Sequence, residues 1–182
     1  MRRALFRFVA LADRLAGAAG ALAAWLQPLL VVVLVVNVAL RYGFGRGFIE
    51  LEELQWHLYA AGFLLAFADT QAADEHVRVD LLRQRFSPRA RAWVELGGSL
   101  LMLLPFALIV SVSAFDFFWQ SFEIGERSPM PSGLPARWVI KGVLFVSLAL
   151  LALQALSGAM RSVLELLGET PPARPSSVTV ES

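Results

Sequence analysis

Polar positions along the chain leave four charge-free runs, Leu15–Leu40, Leu54–Ala68, Leu96–Phe115 and Gly142–Met160. A bilayer core of about 30 Å is crossed by about 20 helical residues at roughly 1.5 Å each. The first, third and fourth runs reach that length alone. The second has 15 residues and reaches it with its flanks from Leu51 to Ala72. Core helices of a water-soluble fold carry a polar face at a 3.6-residue period, and these runs mostly lack one. The pattern predicts an all-α integral membrane protein with four transmembrane helices over 17–40, 51–72, 93–118 and 139–161, inside one membrane domain spanning 1–167.

The segments between the runs predict the rest. Before the first run, Leu5, Phe8, Ala12 and Leu15 share one helical face while Arg3, Arg7 and Arg14 share the other. That is the pattern of a basic amphipathic arm lying on the membrane surface. A cleaved signal fits less well, because Asp13 and Arg14 interrupt the apolar stretch and the greasy run then continues to Leu40. Pro28 predicts a bend near Ala24, and Pro105 a kink in the third helix. Between helices 2 and 3, Asp80 can cap a short interfacial helix, "LLRQRF". Ser87-Pro88 then starts helix 3, serine as N-cap and proline as first helical residue. "SFEIGERSPMPSGLPARW", with three prolines and two glycines, predicts a shaped loop, and the tail 168–182 reads as disordered.

Charge distribution sets the orientation. Eleven arginines precede helix 1, separate helices 2 and 3, or follow helix 4; Arg41, Arg46, Arg127, Arg137 and Lys141 fall on the other side. The positive-inside bias therefore predicts that both termini are cytoplasmic. Composition agrees with a membrane protein: 57% of residues are hydrophobic and 17% charged, against about 45–50% and 25% in soluble domains. With no cysteine in the chain, disulfides, thiolate metal sites and thiol catalysis are excluded.

Little in the sequence does chemistry. His57 and His76, the two histidines, lie 19 residues apart, about 28 Å along one helix, too far to share a haem iron. Asp74, Glu75, His76 and Asp80 cluster where helix 2 ends and read as a solvated helix exit rather than a metal site. Glu50, Glu53 and His57 form an i, i+3, i+7 stripe opening helix 2. Two readings of it stand: carboxylates stabilised by the helix dipole, or a polar face turned toward another protein. Asn37 and Gln154 are the deepest polar residues and are expected to hydrogen-bond between helices. The five tryptophans lie near predicted helix ends, as an aromatic belt requires. No phosphate-binding loop, serine nucleophile motif or zinc helix motif occurs, so the chain reads as a scaffold and not an enzyme.

In order along the chain, "NVALRYGFG", "ELEELQWHLYAAGFLLAFA", "EHVRVDLL" and "SFEIGERSPMPSGLPARWVIKGVLFVSLALLALQ" resemble the small membrane subunit (DctQ-like) of tripartite ATP-independent periplasmic (TRAP) transporters. The resemblance implies an accessory small permease subunit in a bacterial inner membrane. Its partners would be a large DctM-like permease subunit, a periplasmic DctP-like solute-binding protein and the lipid bilayer, with no nucleic acid. It implies no cofactor on this chain; the coupling ion, sodium, and a small organic-acid solute belong to the large subunit. The motif positions are Asn37, Arg41, Tyr42, Glu53, Trp56, His76, Arg78, Asp80, Glu126, Ser128, Gly133, Leu134, Pro135, Trp138 and Lys141. They are expected to shape the subunit and its joint with the large permease. A partly buried Arg41–Glu53 pair is expected to pin the first hairpin. "ADTQAAD" departs from the family pattern at Asp69 and Thr70, where small or apolar residues are more usual, which leaves the end of helix 2 open. Two other readings remain at this point, a self-sufficient oligomeric transporter and a haem-anchoring membrane subunit.

Overall fold

The structure is a computed structural model, and it describes residues 2–73 and 86–174. Its described residues are all-helical, without strands. Helix α1 runs Arg2–Phe44 and α2 runs Ile49–Ala73. Helix α3, Pro88–Gly97, passes through a π-helical turn at Gly98–Leu103 into α4, Leu104–Glu123. Helix α5 covers Trp138–Leu166. Among the described residues, three segments have the length and apolarity to cross a membrane: Arg3–Phe44, Pro88–Glu123 and Trp138–Leu166. Helix α2, at 25 residues, has the length. It falls outside that set, its apolar run being diluted by Gln55, His57, Asp69 and Gln71 as well as by its first-turn carboxylates.

The N-terminal arm differs from expectation. It is the start of one helix of 43 residues, about 64 Å of rise, which continues unbroken through Pro28. Its inward stripe is Val9, Ala12, Ala16, Ala19 and Ala23, and Leu15 is exposed. The arm turns its small residues toward protein, so its apolar face serves packing there and not only a lipid surface. Tight packing explains the choice of residues. Ala16, Ala19 and Ala23 of α1 meet Leu65, Ala68 and Ala72 of α2. Where Gly20 faces Asp69 and Gly62 faces Gln27, an added methyl would collide. Small side chains let helix backbones approach closely enough for dispersion contacts to hold them without a hydrophobic drive. A lateral groove of about 250 Å³ lies along this seam, lined by Gly20, Ala23, Ala24, Gln27, Gly62, Ala66 and Asp69. Helix α2 runs on through Asp69 and Thr70, whose hydroxyl donates to the Ala66 carbonyl at 2.9 Å.

Two of the expected helix signals take clear form. Ser87 caps α3, its hydroxyl accepting from the Ala90 N–H at 3.3 Å, with Pro88 opening the helix. The disruption expected at Pro105 is the π-helical turn just before it. Proline has no N–H and its ring presses on the carbonyl one turn back, so a wider turn relieves the clash. The Leu104 N–H accordingly reaches five residues back to Ser99. Helix α5 sits at the centre, touching α1, α2, α3 and α4. Its buried residues include Ser147, Ala152, Gln154, Ala155, Ser157 and Ala159. Asn37 and Gln154 are buried as expected. Asn37 Oδ1 and Gln154 Nε2, however, find no hydrogen-bond partner among the described residues.

Candidate functional site: two carboxylates and the 124–137 loop

The loop joining α4 to α5 is built from backbone outward. Helix α4 ends at Glu123 with Ile124 as its C-cap, and Gly125 takes a positive φ of 58°. The Gly125 N–H returns to the Phe122 carbonyl at 3.1 Å and the Glu126 N–H to Ser121 at 3.0 Å, the pairing of a Schellman turn. The two limbs then tie together, Ser128 N–H to the Leu134 carbonyl at 3.1 Å and Arg137 N–H to Glu126 at 3.0 Å. A tight turn closes the tip, Gly133 N–H to Met130 at 3.0 Å. Ala136 holds a φ of 63°, a conformation that L side chains rarely adopt, and sits between the tied limb and the first turn of α5.

Two carboxylates fasten this loop to helices. Glu53 of α2 accepts from the Ser128 hydroxyl and from the Leu134 N–H, the latter at 2.7 Å. Glu126 accepts from the Lys141 ammonium and from the Ser121 hydroxyl, the latter at 2.6 Å. Lys141 also lies 3.8 Å above the centroid of the Phe117 ring. The Lys141 ammonium, helped by Ser121, holds the Glu126 carboxyl below the usual carboxylate range, against the opposing effect of burial. Gly133 leaves no room for a methyl, which would strike the Ser128 side chain and come 2.9 Å from Glu53 Oε2. Trp138 packs edge-on against Phe122 at 5.2 Å and Phe118 at 6.4 Å. It is thus a packing residue at the base of the loop rather than only a belt anchor.

The structure thereby gathers Glu53, Glu126, Ser128, Gly133, Leu134, Trp138 and Lys141 at one end of the bundle, with Pro135 exposed in the same loop. The other motif positions lie apart from this cluster. Tyr42 and Trp56 are 82% and 71% exposed, so both side chains point away from the fold. Asn37 is buried. His76, Arg78 and Asp80, with the expected interfacial helix, lie outside the described residues.

The expected Arg41–Glu53 pair is not made. Arg41 reaches Glu52 at 3.4 Å, and the pair is exposed, with 60% and 47% of the two side chains accessible. Neighbouring residues on a helix point about 100° apart; Glu52 faces the α1 end while Glu53 faces the loop. His57 Nδ1–H donates to the Glu53 carbonyl at 2.7 Å, so the stripe of acid and imidazole is partly an internal framework.

Sequence reasoning missed a buried pair that joins α1 to α5. Asp13 of α1 and Arg161 of α5 form a buried ion pair, with 11% and 7% of their side chains accessible. The available signal was positional: Asp13 follows the buried stripe residues Val9 and Ala12 instead of falling on the exposed basic face.

The arrangement provides anchoring hydrogen bonds and packing. Among the described residues, no group of three or more acidic or histidine side chains could hold a metal. Comparison with known proteins agrees with a transport component. The chain is similar to a Haemophilus influenzae protein whose name describes it as a TRAP transporter small permease, 31% identical over 112 residues. That stretch covers 59% of this chain and 64% of the relative's length. No solved structure matches the chain. The family model for the DctQ component of tripartite ATP-independent periplasmic transporters matches residues 30–165. That match covers α2 to α4, the locked loop and all but the last residue of α5, and the chain belongs to this family, which is a transporter component and not an enzyme.

Proposed function

We propose that this chain is the stationary brace of a TRAP transporter, holding the large permease subunit in place while that subunit carries an organic acid with sodium. The observation that carries the reading is the double fastening of the 124–137 loop, by Glu53 from α2 and by Glu126 to Lys141 of α5. It ties three helices into one frame at one end of the bundle, and a frame of that kind resists shear between its helices. A partner that moves along the membrane normal needs such a fixed counterpart. Tilted spans and interfacial tryptophans add resistance to displacement.

In this reading α2 is the fourth span; its 25 residues rise about 37 Å. Its acidic first turn, Glu50 and Glu52, then faces the periplasm, and both chain termini face the cytoplasm of a bacterial inner membrane. A periplasmic binding protein delivers the solute. Exposed Tyr42 and Trp56 are offered to the large subunit or to lipid, and His76, Arg78 and Asp80 belong to the same proposed joint by resemblance. The test is reconstitution. Proteoliposomes with the large subunit, the binding protein and this chain should take up solute. Omitting this chain should abolish uptake, and this chain alone should carry none. Uptake by the isolated chain, or full uptake without it, overturns the brace.

A further inference from the structure

The end of α5 remote from the locked loop carries a second closure. Leu167 caps the end of the helix, and Gly168, at a φ of 76°, turns the chain back. Gly168 N–H returns to Glu165 and Glu169 N–H to Leu164, each at 3.0 Å, a second Schellman turn. Pro171 and Pro172 follow, residues that offer carbonyls and no N–H. Arg161 then uses its guanidinium in two directions, Nη2 to the Asp13 carboxylate of α1 and Nη1 to the Pro172 carbonyl. Two residues further on, Arg174 Nη2 lies 3.8 Å from Glu95 Oε2 of α3. The first part of the segment expected to be disordered is therefore folded back; it links α5 and α3, and the same Arg161 joins α5 to α1.

The electrostatics account for this closure. Arg161 is 5% exposed, and a buried guanidinium is tolerable only with its charge paired and its donors used. The carboxylate and the proline carbonyl meet that need. Asp13 Oδ1, by contrast, is buried without a hydrogen-bond partner.

We propose that residues 168–174 form a strap that closes over the Asp13–Arg161 pair. Shut, it holds the N-terminal turns of α1 against α5; open, it frees them. The chain has no cysteine of its own, so nitroxide pairs can be placed at will on the full chain in lipid nanodiscs. Labels at Ala173→Cys and Arg89→Cys report strap to α3, and labels at Arg7→Cys and Arg89→Cys report α1 to α3. Both pairs should give one narrow distance distribution. Gly168→Val leaves every charge in place but cannot take the positive φ without strain, and should roughly double the width for both pairs. Arg161→Gln should do the same, and Gly168→Val decides alone should that variant not accumulate. A broad strap distance in the otherwise unaltered chain overturns the strap. So does a narrow one unchanged by Gly168→Val. A strap distance that broadens while the α1 distance stays narrow overturns its hold on α1.

Discussion

Gly133→Ala tests how closely the loop is keyed to its carboxylate. Gly133 is not in the left-handed region, so alanine meets no backbone penalty there and only the added methyl matters. That methyl falls on the Ser128 side chain and 2.9 Å from Glu53 Oε2. Forcing an extra methyl into a filled position costs about 1–3 kcal/mol. In a chain of this size each kcal/mol moves the midpoint by about 2–4 °C, so Tm should fall by about 2–12 °C. Thermal unfolding of the purified protein in detergent, followed by tryptophan fluorescence, reads this directly, since Trp138 stands at the base of the loop. Ser128→Gly removes the atoms that the methyl strikes, so Gly133→Ala should cost much less in that background. A Tm for Gly133→Ala within about 1 °C of wild type would refute the reasoning. So would simple addition of the two single losses, because residues in contact are expected to couple.

Three further outcomes follow from the same end of the molecule. Arg41→Ala should cost about 0–1 kcal/mol, because an exposed pair gains little over water; a loss larger than that of Gly133→Ala would show that the contact with Glu52 matters more than its exposure allows. Ala136→Gly should raise stability by about 0.5–1 kcal/mol, since relief of a left-handed alanine outweighs the added freedom of the unfolded glycine; a lowered Tm would count against strain there. The Glu126 carboxyl titrates lower in the folded chain than in the unfolded one, so its contribution is complete above the unfolded value of about 4.3 and is lost as pH falls through the folded one. Tm of Glu126→Gln should lie below wild type at neutral pH and converge with it in acid, whereas curves that stay parallel throughout would remove Glu126 from the account.

What the sequence disclosed was whatever depends on one helix at a time. Apolar length exposed three helices long enough to cross a membrane, Ser87-Pro88 marked a helix start, and Pro105 marked a disruption. The residues that gather in the loop were legible as a group because Glu126 to Lys141 lie within one stretch of chain. Their attachments were not. Choosing between Glu52 and Glu53 for Arg41 requires knowing how α2 is rotated, and adjacent residues differ by about 100°. Ser128 and Leu134 bond Glu53 across 75 and 81 residues, and Arg161 meets Asp13 across 148. Contacts at such separations depend on which helices are neighbours, which no local periodicity encodes. The arm misled for a related reason. An apolar face fits lipid or protein equally, and the alanines that reveal close packing are weakly hydrophobic.

The π-helical turn ahead of Pro105 amounts to one surplus residue in a helix that otherwise keeps α spacing from Pro88 to Glu123. Losing a residue between 98 and 103 would let that turn tighten while Phe115, Phe118 and Phe122 kept their aim at Phe145 and Trp138. The same loss within 106–114 would swing those rings by about 100° and turn them out of the interface. A tolerance for gaps should therefore be concentrated at this turn, and chains of the same design that differ in length across this span should differ there first.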